Sequence, residues 1–247
     1  MNNLLLAFLL FGASFIQGAV GFGFALSAMP ILVWGGYSLA EASIITALNS
    51  LLQMFLAVFQ LRRDIPWREV WKAISLRWLF TPLGIWVMMK LDNLPPQQLK
   101  QILGLILLVI VLSQLLYRVK PRDKLHPLWG IFAFSSSGFL QGLVSMGGPP
   151  LVLWVMALTW DVKSSRAFLM TLFALAVPLH LALLYLSYGQ KLQQASYQGL
   201  IFIPLSLLGV TLGIRVGNHL PKERLKTLAY GLLILTALSS LLAPFIG

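Results

Sequence analysis

Cysteine is absent from this 247-residue chain, and acidic residues are scarce, since Asp and Glu together number 7. The absence of thiols excludes disulfides, thiolate metal sites and a cysteine nucleophile. The carboxylates fall almost entirely in polar connections, and His numbers only 3. Acid–base catalysis needs several titratable groups in one place, so we predict that the chain is not an enzyme and holds no metal and no cofactor. No nucleotide-binding motif is present, which argues against direct use of ATP.

Apolar sequence, in contrast, is abundant: 58% of the residues are hydrophobic and 10% are charged. Apolar stretches recur along the whole chain, each long enough to cross or enter a hydrocarbon core about 30 Å thick. They occupy 3–37, 41–61, 70–90 and 98–118 in the first half and 127–160, 164–188, 197–217 and 225–246 in the second. Strand alternation is lacking, so the segments are predicted to be helices in a membrane. The formal charge of +11 arises from basic residues in short connections, as membrane topology requires. We therefore expect no nucleic-acid partner.

Two glycine-rich phrases in the chain are closely similar. FIQGAVGFG occupies 15–23 and FLQGLVSMGG occupies 139–148. Weaker matches follow in the same order, including LGI at 83–85 and at 212–214. Self-similarity in a preserved order indicates a tandem duplication. We predict one integral membrane domain made of three parts, a first membrane repeat at 1–118, a cytoplasmic linker at 119–126 and a second membrane repeat at 127–247.

The opening apolar segment of each repeat is too long for one crossing, because about 35 residues of straight helix would extend roughly 50 Å. Treated as single crossings, these segments leave the basic residues evenly divided between the two sides. Treated as hairpins, they place fifteen of the 18 Lys and Arg on one side and leave Lys90, Lys100 and Lys191 on the other. Because cytoplasmic connections are rich in Lys and Arg, we predict an all-α polytopic membrane protein with both termini outside. Its two inverted repeats would each be a broken or re-entrant helical hairpin followed by three transmembrane helices.

The glycine phrases lie inside the segments that must bend. Non-helical backbone persists in hydrocarbon only where protein or water covers it, so each bend should face inward. Exposed amides and the positive end of a half-helix suit an anion, and a glutamine before each bend either donates to it or satisfies broken backbone. The alternative is that the glycines only pack helices closely. The predicted substrate-binding residues from the two phrases are Gln17, Gly18, Gly21, Gly23, Gln141, Gly142, Ser145, Gly147 and Gly148.

Six polar residues outside the phrases are further candidates. Asn49, Gln53, Thr46 and Thr171 lie one to two turns inside their helices and would complete the site, unless they serve interhelical hydrogen bonds. Arg77 would supply permanent charge to an anion carrier, or else extend to the basic side of the membrane. His180 is a candidate for proton coupling because imidazole titrates near physiological pH, although a lone membrane histidine is more often neutral and hydrogen-bonded.

The paired phrases FIQGAVGFGFALSAMP and FLQGLVSMGGPPLVLW, one near the start of each similar half, resemble those of the sulfite exporter TauE/SafE family of membrane transporters. The resemblance covers essentially the whole chain. It implies transport of small anions, notably sulfite, sulfoacetate and related organosulfonates or sulfur oxyanions.

These observations together predict a secondary transporter, an exporter, that moves a small sulfur-containing anion by alternating access around a midplane site at the two glycine-rich breaks. An anion channel is the main alternative, and a membrane-embedded lipid-modifying enzyme is the weaker one. The expected partners are the small anion and membrane lipids, and a homodimer is compatible with the sequence. The expected location is the cell inner membrane or plasma membrane, with multiple crossings.

Overall fold

A computed structural model describes residues 2–20, 23–116 and 121–217, and within these ranges the backbone is almost entirely helical and has no β-strand. This confirms the prediction of an all-helical protein. The helices are α1 (Asn3–Val20), α2 (Phe24–Trp34), α3 (Leu39–Leu61), α4 (Trp67–Leu91), α5 (Pro96–Leu116), α6 (Pro127–Val144), α7 (Gly148–Met156), α8 (Val162–Tyr188), α9 (Gln193–Ile201) and α10 (Ile203–Gly217).

Both long opening segments are interrupted where the glycine phrases lie. In the second repeat, α6 ends at Ser145, a non-glycine residue in the left-handed conformation with φ 56°. α7 then folds back along α6, because Trp154 near its end packs on Phe134 at 4.9 Å between ring centroids, while Gly147 at its start meets Ser137. The pairing of late α7 with early α6 defines an antiparallel hairpin.

The first repeat has a comparable interruption between α1 and α2, which pack against each other. Gly23 precedes α2 with φ 106°, a backbone conformation that side chains with a Cβ rarely adopt. Neither opening segment is therefore one continuous helix, as the length argument required.

One predicted segment differs from the structure. The apolar stretch 197–217 was expected as a single helix, but it begins at Gln193 and is divided at Phe202 into α9 and α10. Pro204 explains the division, because its ring clashes with the carbonyl four residues earlier and it has no amide hydrogen. The predicted final segment, 225–246, lies outside the described residues.

The connections between helices gather on two faces. On one face the backbone amide of Arg122 donates to Ala157 at 2.9 Å and the Thr159 hydroxyl donates to Asp123 at 2.7 Å. A crevice there also includes Glu69 at the start of α4. The connections before α4, between the predicted repeats and after α7 therefore lie together, which is the grouping that the hairpin count of basic residues requires.

The opposite face joins the other connections. Asp92, after α4, accepts hydrogen bonds from the Leu39 amide and from the Tyr188 hydroxyl, each at 2.8 Å. The Tyr37 hydroxyl donates to Gln198 at 2.9 Å. Burial raises the pKa of Asp92, and the hydrogen bonds from Tyr188 and Leu39 oppose that rise. This face ties the end of α4 to the start of α3 and to the end of α8.

Apolar side chains cover the outside of the helices, as expected in a membrane. Leu79, Phe132 and Leu186 are 69%, 68% and 83% exposed, whereas the polar Ser43, Asn49 and others are buried. Within the described residues, two helical stretches, Leu39–Phe59 and Lys163–Ile201, are long and apolar enough to cross a membrane by length and composition, and several shorter apolar helices accompany them.

Two tightly packed helix pairs connect the halves of the chain. α4 runs parallel to α6, since Arg77 lies against Gly138 and Thr81 lies against Gly142. α1 runs parallel to α10, where Gly209 meets Phe11 and Gly213 meets Phe15. Each pair joins a helix from before the linker to one from after it.

The two pairs repeat one contact. A Cβ at Gly84 would lie 2.2 Å from the Phe139 carbonyl oxygen, and one at Gly213 would lie 2.1 Å from that of Phe15. Phe15 and Phe139 are matching residues of the two phrases, and both glycines are the central residues of the LGI matches. The duplicated sequence thus makes the same contact between a glycine and a phenylalanine carbonyl twice. The glycine comes from the first half of the chain in one pair and from the second half in the other.

Replacing Gly142 by alanine should destabilise the protein, because the new Cβ would lie 2.1 Å from the Thr81 carbonyl oxygen. Overpacking of this kind costs about 1–3 kcal/mol, and a lower thermal unfolding temperature in detergent would report it. Gly12→Ala is the matched control, since no described atom outside its own helix turn lies within 4 Å of the added Cβ. Equal unfolding temperatures for the two variants would contradict the close contact.

Candidate functional site

The two helix breaks converge on one cavity of about 70 Å³. This volume accommodates more than one water molecule and suits a small oxyanion. Five predicted site residues line the cavity, Gln17, Gly23, Gln141, Ser145 and Gly148, and the remaining lining residues are Phe24, Ala25, Leu26, Thr46, Ala47, Ser50, Met54, Met146, Phe173 and Val177. Both glycine phrases therefore contribute to the same space.

The first break presents backbone donors to the cavity. The first amides of a helix have no acceptor within it, and the three residues that open α2, Phe24, Ala25 and Leu26, all line the cavity. The α2 proline, Pro30, lies farther along and removes none of these donors. Gln17 adds a side-chain amide whose described partner is the Met54 sulfur at 3.8 Å, a weak acceptor.

The second break presents fewer backbone donors. Pro149 and Pro150 occupy the first turn of α7 and have no amide hydrogen, although their fixed φ favours a helix start. The lining groups here are the Ser145 hydroxyl, the Gln141 side chain and Gly148. Both breaks were expected to present backbone amides, but most of the free backbone amides are at the N-terminal end of α2.

Three predicted binding glycines serve packing instead of lining the cavity. A Cβ at Gly18 would lie 2.2 Å from the Val210 carbonyl oxygen, and Gly142 is equally close to Thr81. Gly147 packs inside the hairpin, where a Cβ would lie 2.6 Å from the Ser137 carbonyl oxygen. These contacts fit the helix-packing alternative. Gly21, also predicted to bind, lies outside the described residues.

Arg77 is fully buried, 0% exposed, on α4 behind the cavity wall. Its Nη1 donates to the Ser137 hydroxyl at 2.8 Å, and its Nη2 approaches the Gln141 amide oxygen at 3.4 Å. The guanidinium carbon lies 5.4 Å from the centroid of the Phe173 ring. Gln141 and Phe173 both line the cavity, so they separate it from the cation, and Arg77 does not extend to the basic side.

The charge of Arg77 has no anionic partner within the described residues, where the ion pair present joins Lys72 to Glu69. Its Nε atom is buried and also has no hydrogen-bond partner there. A buried cation without an anion is costly in a protein interior. The arrangement provides a positive field next to a cavity that holds no negative protein group among its lining residues.

Asn49 and Thr171 lie away from the cavity lining. The Asn49 amide donates to the carbonyl oxygens of Ile45 and Gly199, both at 2.9 Å, and accepts from Ser206 at 2.6 Å. Its side chain therefore ties α3 to α9 and α10, as the interhelical alternative proposed. Thr171 is buried on α8, and its hydroxyl oxygen has no hydrogen-bond partner among the described residues.

His180 is buried at 0% exposure and lies near the second break. Its Nε2 atom is 2.9 Å from the Ser43 hydroxyl oxygen and 3.1 Å from that of Ser145. The two hydroxyls also contact each other. Because Ser145 lines the cavity, His180 is connected to it by one side chain.

Several lining residues were not predicted from the sequence. Thr46 was a predicted candidate; Ser50 and Met54 follow it at helical spacing on α3, and Phe173 and Val177 have the same spacing on α8. A search for small and polar residues on the Thr46 face of α3 would have found Ser50. No local signal marks Phe173, because a phenylalanine within an apolar helix is expected to face either lipid or core.

An apolar helical protein in which two interrupted helices converge on one cavity belongs to the class of membrane transport proteins. The chain matches the family described as sulfite exporter TauE/SafE over residues 5–240. It belongs to that family of transporters, which confirms the resemblance seen in the two glycine phrases. No curated protein and no solved structure matches it.

Proposed function

We propose that this protein is a secondary transporter that exports a small sulfur-containing anion, and that the anion binds in the cavity between the two helix breaks. The observation that carries the proposal is the convergence of both breaks on one cavity beside a buried arginine that has no anionic partner in the part of the chain that the structure describes. Family membership supports the choice of a sulfur-containing anion such as sulfite or an organosulfonate. The small cavity favours a compact solute.

The electrostatics of the cavity favour an anion over a cation or a neutral solute. Three opening residues of α2 line it, and their free amides carry the positive end of the helix dipole. Arg77 adds a full positive charge immediately behind Gln141 and Phe173. An anion would therefore satisfy donors that otherwise have no good acceptor.

Alternating access is supported by the repeated glycine contact. The pairs α1 with α10 and α4 with α6 each combine one helix from each half of the chain, which is the arrangement expected of two inverted repeats. Two such closely packed pairs can rock as units around a cavity that lies between the breaks. Each unit would expose the cavity to one side of the membrane in turn.

The orientation follows from the basic residues. The face that contains Arg122 and the start of α4 would be cytoplasmic, because positive residues are retained inside. Both termini would then be outside, in the inner or plasma membrane. Movement of each negative charge outward through an inside-negative potential releases about 2.3 kcal/mol per 100 mV, which would drive export.

Counterflow in proteoliposomes would test the proposal. Vesicles loaded with unlabelled sulfite, thiosulfate or methanesulfonate should accelerate the entry of the same labelled anion, because a carrier exchanges one solute for another. The rate should saturate with concentration. A non-saturating current without exchange would instead identify an anion channel, and absence of flux for all sulfur anions would contradict the proposal.

A further inference from the structure

We infer that His180 binds a proton together with the anion, and that Ser145 connects the imidazole to the anion site. This inference rests on the proposed function and names the ion that accompanies the substrate. It concerns a buried titratable side chain that anion binding alone does not require.

The three side chains of this network come from three different parts of the fold. His180 is on α8, Ser43 is on α3, and Ser145 is the residue at which α6 breaks. Only Ser145 among them lines the cavity. The network therefore joins the broken helix to two long helices, at the point where the chain is non-helical.

The direction of the hydrogen bonds in this network depends on whether Nε2 of His180 carries a proton. When Nε2 carries a proton, it can donate to Ser43, Ser43 can donate to Ser145, and the Ser145 hydroxyl hydrogen then points toward the cavity. When Nε2 carries none, one serine donates to it and the other supplies the hydrogen of the contact between the two hydroxyls, so in either arrangement the cavity meets a lone pair of Ser145 instead. An anion that accepts from Ser145 therefore favours the states with a proton on Nε2, which are one neutral tautomer and the imidazolium.

The charge on the imidazole follows from its surroundings. The other ring nitrogen, Nδ1, is buried without a hydrogen-bond partner among the described residues, so no neighbour there favours one neutral tautomer. Arg77 contacts Gln141 and His180 contacts Ser145, and both of these partners line the cavity. The burial of His180 and the positive charge of Arg77 both oppose a second cation here, and an anion in the cavity offsets them. The proton should thus bind with the anion and leave with it.

Calorimetry of the purified protein would test this coupling. Thiosulfate and methanesulfonate are suitable probes because both stay fully ionised near neutral pH, whereas sulfite itself titrates. The titrations should use Bis-Tris and Tris at one pH, since common sulfonate buffers would compete for the site. The dependence of the binding enthalpy on the buffer should correspond to uptake of about one proton per anion.

Two variants test separately the proton-binding residue, His180, and the residue that connects it to the anion, Ser145. His180→Gln keeps a hydrogen-bonding side chain that does not titrate, so the probes should bind without proton uptake. Ser145→Gly suits the left-handed φ of 56° and should fold even if the first variant does not. It removes the hydroxyl, so proton uptake per bound anion should fall well below that of the parent protein.

The outcomes are distinct for the two proposals. Anion binding by the parent protein with no proton uptake would overturn the role of His180, because a change of tautomer would then suffice, and would leave the proposed transport intact. Uptake that persists in His180→Gln would also overturn it, and uptake unchanged in Ser145→Gly would overturn the connection. Failure of both probes to bind the parent protein would contradict both proposals together.

Discussion

Replacing Arg77 by methionine is expected to abolish transport while leaving the protein at least as stable as the parent. The substitution removes a fully buried charge that has no anionic partner among the described residues, and the unbranched side chain of methionine fills similar space. Removing such a charge is often neutral or stabilising. Transport should fall about 100-fold, since the attraction between a unit positive charge and an anion roughly 6–8 Å away is about 2–3 kcal/mol at an effective dielectric constant of about 20.

The measurements are counterflow in proteoliposomes and thermal unfolding in detergent. Arg77→Lys is the matched control because it keeps the charge but not the planar set of donors that contacts Ser137 and Gln141. It should retain part of the transport activity. Full transport by the methionine variant would show that the arginine is only structural, and a large loss of stability would show that its hydrogen bonds outweigh its burial.

Replacing Gly148 by leucine should also eliminate transport without preventing folding. Among the described atoms, a Cβ at this position meets the Phe173 ring at 3.5 Å, which is ordinary contact. The rest of the leucine side chain would enter a cavity of about 70 Å³ and occupy the space proposed for the anion. Loss of about 2 kcal/mol or more of binding would reduce transport at least roughly 30-fold.

Gly147, the neighbouring glycine, is expected to respond differently from Gly148 because its surroundings are more tightly packed. Gly147→Leu would place a Cβ 2.6 Å from the Ser137 carbonyl oxygen, so this variant should be poorly folded. Gly12→Leu, where no described atom lies within 4 Å of an added Cβ, should both fold and transport. Size-exclusion profiles separate these cases. Normal transport by the Gly148 variant would remove the anion from this cavity.

The positions of both helix breaks could be predicted from the sequence. The lengths of the opening segments, the division of basic residues and the glycine phrases all required a bend, and Gly23 and Ser145 lie at those bends. These signals are local or additive along the chain, so they do not depend on how the helices pack. The division at Phe202 was missed because Pro204 was not considered as a helix breaker.

The roles of individual glycines could not be predicted in the same way. Gly18 and Gly142 occupy equivalent places in the two phrases, as Gly23 and Gly147 do, but Gly23 lines the cavity and the other three pack against helices. Whether a glycine approaches a ligand or another backbone depends on which helix lies beside it. For Gly18 on α1 the neighbouring helix is α10, and for Gly142 on α6 it is α4. In both cases that neighbour comes from the other half of the chain.

Composition and length alone determined that the protein lies in a membrane and that two of its segments are broken, because hydrocarbon excludes charge and limits the length of a crossing. The contacts of Asn49, Arg77 and His180 were decided only by tertiary packing. Asn49 was predicted to bind the substrate, but its side-chain nitrogen donates to the Gly199 carbonyl oxygen and its side-chain oxygen accepts from the Ser206 hydroxyl. Arg77, in contrast, lies beside Gln141 from the other half of the chain. A polar side chain in an apolar helix must find a partner, and only the arrangement of the neighbouring helices determines whether that partner is protein or solute.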